Sequence, residues 1–438
     1  MSREFLSSVI DALRFTADKS ADHTDNDCES RALSSYSSYE WSRQIGILDR
    51  VGLTLPLYAR LLGDRNCVGI PAPAIATLEQ RRRDNALRMN GMLITFGHAV
   101  KALQNAGVRS VCVKGFSLIP DYLTELWQRH QIDFDLLVAP QDAQRAQPAL
   151  EELGYRLTAI DRSERRLRIP ASRPLTRHAY LYNLQEGAAI ELHSEFWDAE
   201  AEAQPMRCPL DTFEHAEMHT VGSVSFLRLA RHHAFLYQVL HVFRHFLGSW
   251  ARLLWLYEIA AFMHRHQNDD ALWQKVRELL CADVHLTEAA ALVLLCAQNL
   301  FICRLPPALE SVCALPADSP VRLWIDRYAR RWLLTDMPGN KLNLLLHRHF
   351  ISDDRAWRRY LAKRLAPVGN RPMLCEGIDQ KAAKSLTYKT ANLRFQAARI
   401  WHHLGAGAEF TFASIAWEMH LRSDHSACSP NKLRRGES

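Results

Sequence analysis

The hydrophobic periodicity of this chain changes twice, and those two changes limit its fold more than any single motif does. Apolar residues recur at helical spacing from about Trp41 to Leu62 and again from Ile75 to Gln104. After Asn105-Ala106-Gly107, the segment Val108-Arg109-Ser110-Val111-Cys112-Val113 is short, β-branched and alternating, which predicts a strand. Further strands are expected at Ile132–Val138, near Tyr155–Ile160, at His178–Leu184 and at Ala188–His193. Helices are expected between them, from about Ser117 to Trp127 and from Pro140 to Gly154. From Phe226 onward the period is helical again, with proline and glycine breaks at Pro306-Pro307, Pro316, Pro338-Gly339 and Pro367–Pro372. A period-two block bracketed by helical blocks predicts an α+β protein: a small mixed β-sheet with N-terminal helices and a large C-terminal helical region.

The 438 residues are 48% apolar and 23% charged, which excludes a disordered chain and allows two or three folding units. The expected division is a flexible N-terminal arm at 1–39, N-terminal helices at 40–107, a core at 108–225 and a helical domain at 226–438. The arm is expected from the polar run Ala17–Glu29 and the Ser-rich stretch Leu33–Ser38. The longest apolar stretches, such as Ala289–Ala297, fall short of the ~20 residues that cross a bilayer, so no membrane span is expected. Met1–Phe5 has no basic stretch followed by an apolar run, so no secretory signal is expected either. Ten cysteines lie between Cys28 and Cys428 without a Cys-x-x-Cys pair, which predicts reduced thiols and a cytoplasmic location.

The net charge of +6 is unevenly placed. Residues 321–438 carry 21 Lys and Arg against 10 Asp and Glu, a net +11, while the first 320 carry 33 against 38, a net −5. A basic C-terminal portion suits an anionic partner such as nucleic acid or a polyphosphate, but arginines that solvate long helices are the more ordinary source of such a bias. The densest stretch is His347-Arg348-His349 followed by Arg355, Arg358, Arg359, Lys363 and Arg364, which is expected to be a solvated helix face.

Chemistry concentrates in Ile132-Asp133-Phe134-Asp135-Leu136-Leu137-Val138. In a strand, residues two apart share a face, so Asp133 and Asp135 project together while Ile132, Phe134 and Leu136 face the other way. Two adjacent carboxylates repel each other, and a divalent cation relieves that cost. Upstream, Val113-Lys114-Gly115-Phe116-Ser117 reads as a strand-to-helix turn. There Gly115 lets backbone approach a ligand, Lys114 adds a point charge and Ser117 offers a hydroxyl. Downstream, Ala189-Ile190-Glu191-Leu192-His193 alternates and supplies a third carboxylate, with His193 on the face of Glu191 to orient a carboxylate or contact substrate. Arg129 either holds a phosphate or pairs with Asp121 or Glu125. His241 and His245 stand four apart on a helix, a spacing that can bind a metal, and are expected to be structural or to line a substrate pocket. Arg244, Arg252 and Glu258 either line the junction between the α/β unit and the helical half or form a surface ion-pair network. A phosphate cradle, paired aspartates and a third acid are what two-metal phosphoryl or nucleotidyl transfer requires.

At these residues the sequence resembles the nucleotidyltransferase (polymerase beta-like) fold superfamily, and within it the bacterial uncharacterised nucleotidyltransferases. The resemblance runs through Ala106-Gly107, Val113-Lys114-Gly115, Arg129, Ile132–Val138, Leu153-Gly154-Tyr155, His178 and Ile190-Glu191-Leu192-His193. It extends through His241, His245 and Arg252–Glu258, covering about residues 80–300. It implies Asp133, Asp135 and Glu191 as ligands of Mg²⁺ (or Mn²⁺) and as the catalytic acids. It also implies Lys114, Gly115, Ser117, Arg129 and His193 around ATP or another nucleoside triphosphate. The interval from Gly115 to Asp133 is longer than in the superfamily's compact glycine-serine motif, and Phe116 separates the glycine from Ser117. The implied reaction moves a nucleotidyl group to a hydroxyl or similar nucleophile of a small molecule, peptide, RNA or protein, as in natural-product biosynthesis. An ATP-dependent phosphotransferase and a non-catalytic binding module are the alternatives.

Overall fold

The computed structural model describes residues 2–15, 32–63, 69–161, 163–170, 181–182, 188–198, 204, 206, 208, 213–248, 251–335, 340–351, 353–365 and 386–427. Four helices precede the first strand: α1 (Ser2–Ala12), α2 (Ser38–Val51), α3 (Thr54–Gly63) and α4 (Ala72–Asn105). The single helix expected over 41–62 is two. Gly52 ends α2 at φ +83°, a left-handed conformation that glycine reaches without steric cost. At its start, Ser37 and Glu40 form a reciprocal capping box.

The flexible arm expected over 1–39 is corrected where the chain is described. Phe5, Leu6, Val9 and Ile10 of α1 are buried in the main helical core, and Phe5 meets Trp41 edge-on at 5.0 Å between ring centroids. The apolar spacing of Phe5–Phe15 outweighs its polar sequel. The run Ala17–Glu29 lies outside the described residues.

The sheet has seven strands, β1 (Ser110–Cys112), β2 (Asp133–Val138), β3 (Arg156–Ile160), β4 (Glu164–Arg168), β5 (Ala189–His193), β6 (Ala216–Val221) and β7 (Val224–Leu229), in the order β3-β4-β5-β2-β1-β7-β6. It is mixed: β2 runs parallel to β5 and β1 parallel to β7, and the other pairs are antiparallel. The protein is therefore α+β, with the sheet reaching Leu229, beyond the expected edge of the core at residue 225.

Three expectations fail locally. The helix expected over 117–127 is two short 3₁₀ turns, Gly115–Leu118 and Leu126–Gln128, because Pro120 removes a backbone donor at its centre. Most of the strand expected at His178–Leu184 lies outside the described residues, as does His178, while Leu181 and Tyr182 are helical. Strands β4, β6 and β7 were not foreseen in the sequence pattern.

One face of the sheet is covered by α4 and by α5 (Ala143–Glu151). Phe96 of α4 lies about 5 Å, ring to ring, from Phe116, Phe134 and Phe226, and Leu136, Val138, Ile190 and Leu192 complete this core. The other face receives α6 (Arg231–Leu247), whose Ala234 and Tyr237 pack with Val111, Val113 and Leu137. Helices α7 (Leu253–Arg265), α8 (Asp270–Leu280) and α9 (Val284–Phe301) build the main helical core behind it. By length and composition α9 is apolar enough to cross a membrane, as a buried core helix also can be, so it gives no firm membrane span. Here it is a core helix, buried from Leu286 to Phe301. A further helical stretch follows at 320–333, then α10 (Asn343–Phe350), α11 (Asp354–Leu365) and α12 (Leu386–Ala427).

The basic stretch at 347–364 is only partly a solvated face. His347 is buried against Tyr360, and burial followed by Arg364 pushes its imidazole down to about 3. His349 bonds Glu288 at 3.2 Å, and Arg364 donates to the Gly248 carbonyl at 2.9 Å. Among the described residues the cysteines Cys112, Cys208, Cys281, Cys296, Cys303 and Cys313 are free thiols.

Candidate active site

The alternation of β2 and β5 decides which side chains meet. Phe134, Leu136, Ile190 and Leu192 point into the core under α4. Asp133, Asp135, Glu191 and His193 therefore face α6. The register sets Asp135 beside Glu191 on the parallel neighbour, and Glu191 in turn beside Arg166 on β4. One line across three strands thus reads Asp-Glu-Arg.

Lys114, immediately beyond β1, places its Nζ 2.5 Å from Asp135 Oδ1, and His193 Nε2 lies 3.0 Å from the same oxygen. Arg166 Nη2 is 2.6 Å from Glu191 Oε1 and 3.3 Å from Glu164 Oε1. Asp135, Glu191 and His193 each offer a ligand atom within 4.8 Å of the others, a set that could hold a metal ion. Asp133, only half-buried, stands at the mouth of this group.

The charges are unequal. Burial works against an ionised Asp135, yet Lys114 and His193 outweigh it and hold its carboxyl well below the usual range. Asp133 is pushed up by burial and then by Asp135. Glu191 is pushed up to about 7 by burial, then by Asp135 and Asp133. Lys114 is raised despite its burial, because Asp135 and its neighbours favour the ammonium. Three acids thus stand on one face, with Lys114 and Arg166 as the cations paired to two of them.

Gly115 stands at φ +67°, and a Cβ there would come within 2.4 Å of Gln131 Oε1. Gln131 Nε2 donates to the Asp133 carbonyl at 2.7 Å, so the glycine lets this amide brace the start of β2. Helix α4 holds the same approach. Asn85 Nδ2 donates to the carbonyls of Trp127 and Arg129, and Arg88 to that of Gln131, each at 2.9 Å.

Ser117 is buried, and its amide donates to the Lys114 carbonyl at 3.5 Å, the same carbonyl that accepts from the Cys112 thiol at 3.1 Å; burial pushes that thiol up to about 12. Arg129 pairs with neither Asp121 nor Glu125. Its Nε bonds Glu258 Oε1 of α7 at 2.8 Å, with Asp133 and Asp135 nearby in its electrostatic surroundings. Asp121 is held instead by Arg228 at 2.7 Å and by Arg231 and His266 at 3.3 Å.

The wall opposite the carboxylates comes from α6 and α7. Gln238 donates to the Val113 carbonyl at 2.9 Å, fixing α6 against the end of β1. Burial and then Lys114 keep the His241 imidazole neutral, well below its ordinary value. Its ring, with His245, packs on Trp255 at 4.9 and 4.1 Å. Arg252 Nη1 lies 3.1 Å from His130 Nε2. The i, i+4 histidine pair is thus an aromatic wall next to the carboxylates.

Arg166, Glu164 and Tyr237 were missed in the sequence. The only signal for the first two was the alternation Glu164-Arg165-Arg166-Leu167-Arg168.

No curated protein and no solved structure matches the chain. A family model described as uncharacterised nucleotidyltransferase matches residues 37–302. That span contains the whole sheet, both carboxylate-bearing strands and the α6–α7 wall, and it covers more than half of the chain, so the protein belongs to this family of enzymes that transfer nucleotidyl groups.

Proposed function

We propose that the protein is a divalent-metal-dependent enzyme that moves the AMP portion of ATP to a hydroxyl or comparable nucleophile on a small-molecule, peptide or macromolecular acceptor. The observation that carries this reading is the convergence of Asp135, Glu191 and His193, with Asp133 beside them, on one face of two parallel strands. Two carboxylates and an imidazole fit Mg²⁺, and fit Mn²⁺ better, since Mn²⁺ accepts a nitrogen donor more readily. A cation bound there would offset triphosphate charge and acidify the acceptor hydroxyl.

The chain's own residues have separable tasks. Glu191, pushed up to about 7 in the metal-free fold by burial and then by Asp135 and Asp133, would hold the cation and, with its carboxyl lowered by that charge, receive the acceptor's proton. Lys114 keeps Asp135 ionised and presents an ammonium beside the place where phosphates would lie. Gly115 keeps the Asp133 end of β2 in position through Gln131. Arg129 is a positioning residue tied to Glu258, and Ser117 is buried with its amide turned to the Lys114 carbonyl rather than to a phosphate. A cytoplasmic location, where ATP and reduced thiols coexist, accords with the free cysteines.

The test uses Asp133→Asn, because Asp133 is half-buried and no direct ion pair on it need break. Protein, Mn²⁺ or Mg²⁺, ATP and a pool of cell-extract acceptors are incubated, pyrophosphate is measured, and the acceptors are weighed by mass spectrometry. Pyrophosphate and a nucleotide-sized mass increase, both lost in the variant, are expected. A phosphate-sized increase with ADP release would instead mean phosphoryl transfer. Metal-independent ATP binding that is equal in both proteins, with no turnover, would refute the metal site.

A further inference from the structure

Helix α12 is 42 residues long, and its two faces differ. The inner face is docked: Ala406 and Trp417 are buried, Arg331 reaches Glu409 at 2.6 Å, and Lys341 donates to the His403 carbonyl at 3.0 Å. The outer face carries Leu393, Ile400, Trp401, Leu404, Phe412, Ile415 and Met419, all exposed, with Trp401 at 79% and Phe412 at 75%. Successive separations of seven, one, three, eight, three and four residues keep them within about a third of the helix circumference, on one stripe about 40 Å long. Lone exposed apolar residues are ordinary, but a continuous stripe is not.

From their exposures, these seven side chains present roughly 900 Å² of apolar surface, above the roughly 300–600 Å² of the largest patch on a typical monomer. Twice that is roughly 1,800 Å², within the range of a stable protein–protein interface. We infer that α12 is a homodimerisation helix, whose stripe pairs antiparallel with the same stripe of a second copy of this chain.

The pattern is self-complementary about Leu404. Antiparallel pairing with Leu404 opposite itself sets Leu393 opposite Ile415, and Ile400 opposite Ala408. The small residues Ala397, Gly405 and Ala408, all on the open face, leave room for two such helices to approach closely, and a Cβ on Gly405 would meet nothing within 4 Å. The same pairing brings the basic end, Lys389 and Arg394, towards Glu418 of the other copy. A shallow hollow of about 350 Å³ lined by Ser414, Ile415, Glu418 and Met419 offers a seat for a side chain from the partner's other end. An anionic membrane would gain nothing from Glu418 at the edge of the stripe.

Analytical ultracentrifugation of the full chain, 50.1 kDa as a monomer, is expected to give a species of roughly 100 kDa at micromolar concentration. Trp401→Glu/Leu404→Glu should raise the dimer dissociation constant at least about 100-fold while the helical circular dichroism spectrum stays unchanged, since both side chains are exposed, and the melting temperature should fall to that of the dissociated wild type. Under mild oxidation, Leu393→Cys/Ile415→Cys should form an interchain disulfide that neither Leu393→Cys alone nor the wild type forms. A monomer up to about 100 μM, a dimer indifferent to the double glutamate variant, or flotation of the monomer with anionic vesicles would each overturn the proposal.

Discussion

Arg129→Met is the substitution that most sharply separates two roles for one residue. The Arg129 guanidinium bonds Glu258 at 2.8 Å, and the Glu258 side chain is only 3% exposed. Truncating Arg129 leaves that carboxylate buried without its partner. Breaking a buried pair on one side costs about 3–5 kcal/mol, whereas removing both charges is often close to neutral. Arg129→Met should therefore lower stability by about 3 kcal/mol or more, roughly two orders of magnitude in the unfolding equilibrium. Arg129→Met/Glu258→Met should recover most of that loss. Burial already pushes the Glu258 carboxyl up against the pull of Arg129, so once unpaired it is protonated more readily and the single variant should suffer less at pH 5 than at pH 8. Urea unfolding followed by tryptophan fluorescence, together with ATP binding, measures both sides. A loss below about 1 kcal/mol in the single variant, accompanied by selective loss of ATP affinity, would refute the reasoning and make Arg129 a phosphate ligand.

Three other outcomes are expected. Gly115→Ala combines a positive φ, which costs about 1–2 kcal/mol for a non-glycine residue, with a clash against Gln131, and Gln131→Ala on top of it should relieve the clash alone; thermal unfolding of the two variants reads this directly. For Glu191 the folded carboxyl titrates near 7 against an ordinary 4.5, so the metal-free fold keeps a proton that the unfolded chain has lost. Its contribution is complete below about 4.5, falls as pH rises to about 7 by on the order of 2–3 kcal/mol, should vanish in Glu191→Gln, and should be reversed by Mn²⁺; melting temperatures from pH 4.5 to 8 test all three. Asp135→Asn strands the Lys114 ammonium and should destabilise by about 3 kcal/mol, while Lys114→Met/Asp135→Asn should restore stability but not turnover, as denaturation and pyrophosphate release will show.

The carboxylate strands were legible because β5 and the Asp133–Leu136 part of β2 alternate, and Phe134, Leu136, Ile190 and Leu192 have a core to enter. The register that makes Asp135, Glu191 and Arg166 neighbours was not, since pairing between strands separated by dozens of residues leaves no local signal. Strand β4 has only Leu167 as a buried apolar residue, so its stability comes from its two flanking strands. The β6–β7 hairpin turns at Gly222 with an outer strand rich in polar residues, and edge strands of that kind resemble loops in sequence. The Arg129–Glu258 pair joins residues far apart in the chain, and the sequence offered nearer acids as partners.

Helix α4 runs for 34 residues and enters two cores: Ala74 and Leu78 sit in the main helical core, and Met89 to Leu103 sit beneath the sheet. A rigid rod anchored at both ends cannot leave one body without disturbing the other. The catalytic sheet and the helical half should therefore melt as one cooperative unit. A fragment cut after β7 would keep Asp133, Asp135 and Glu191 yet lose the α6–α7 wall and most of the main helical core on which α1 to α3, and through them the upper half of this rod, rest, and it should not fold by itself.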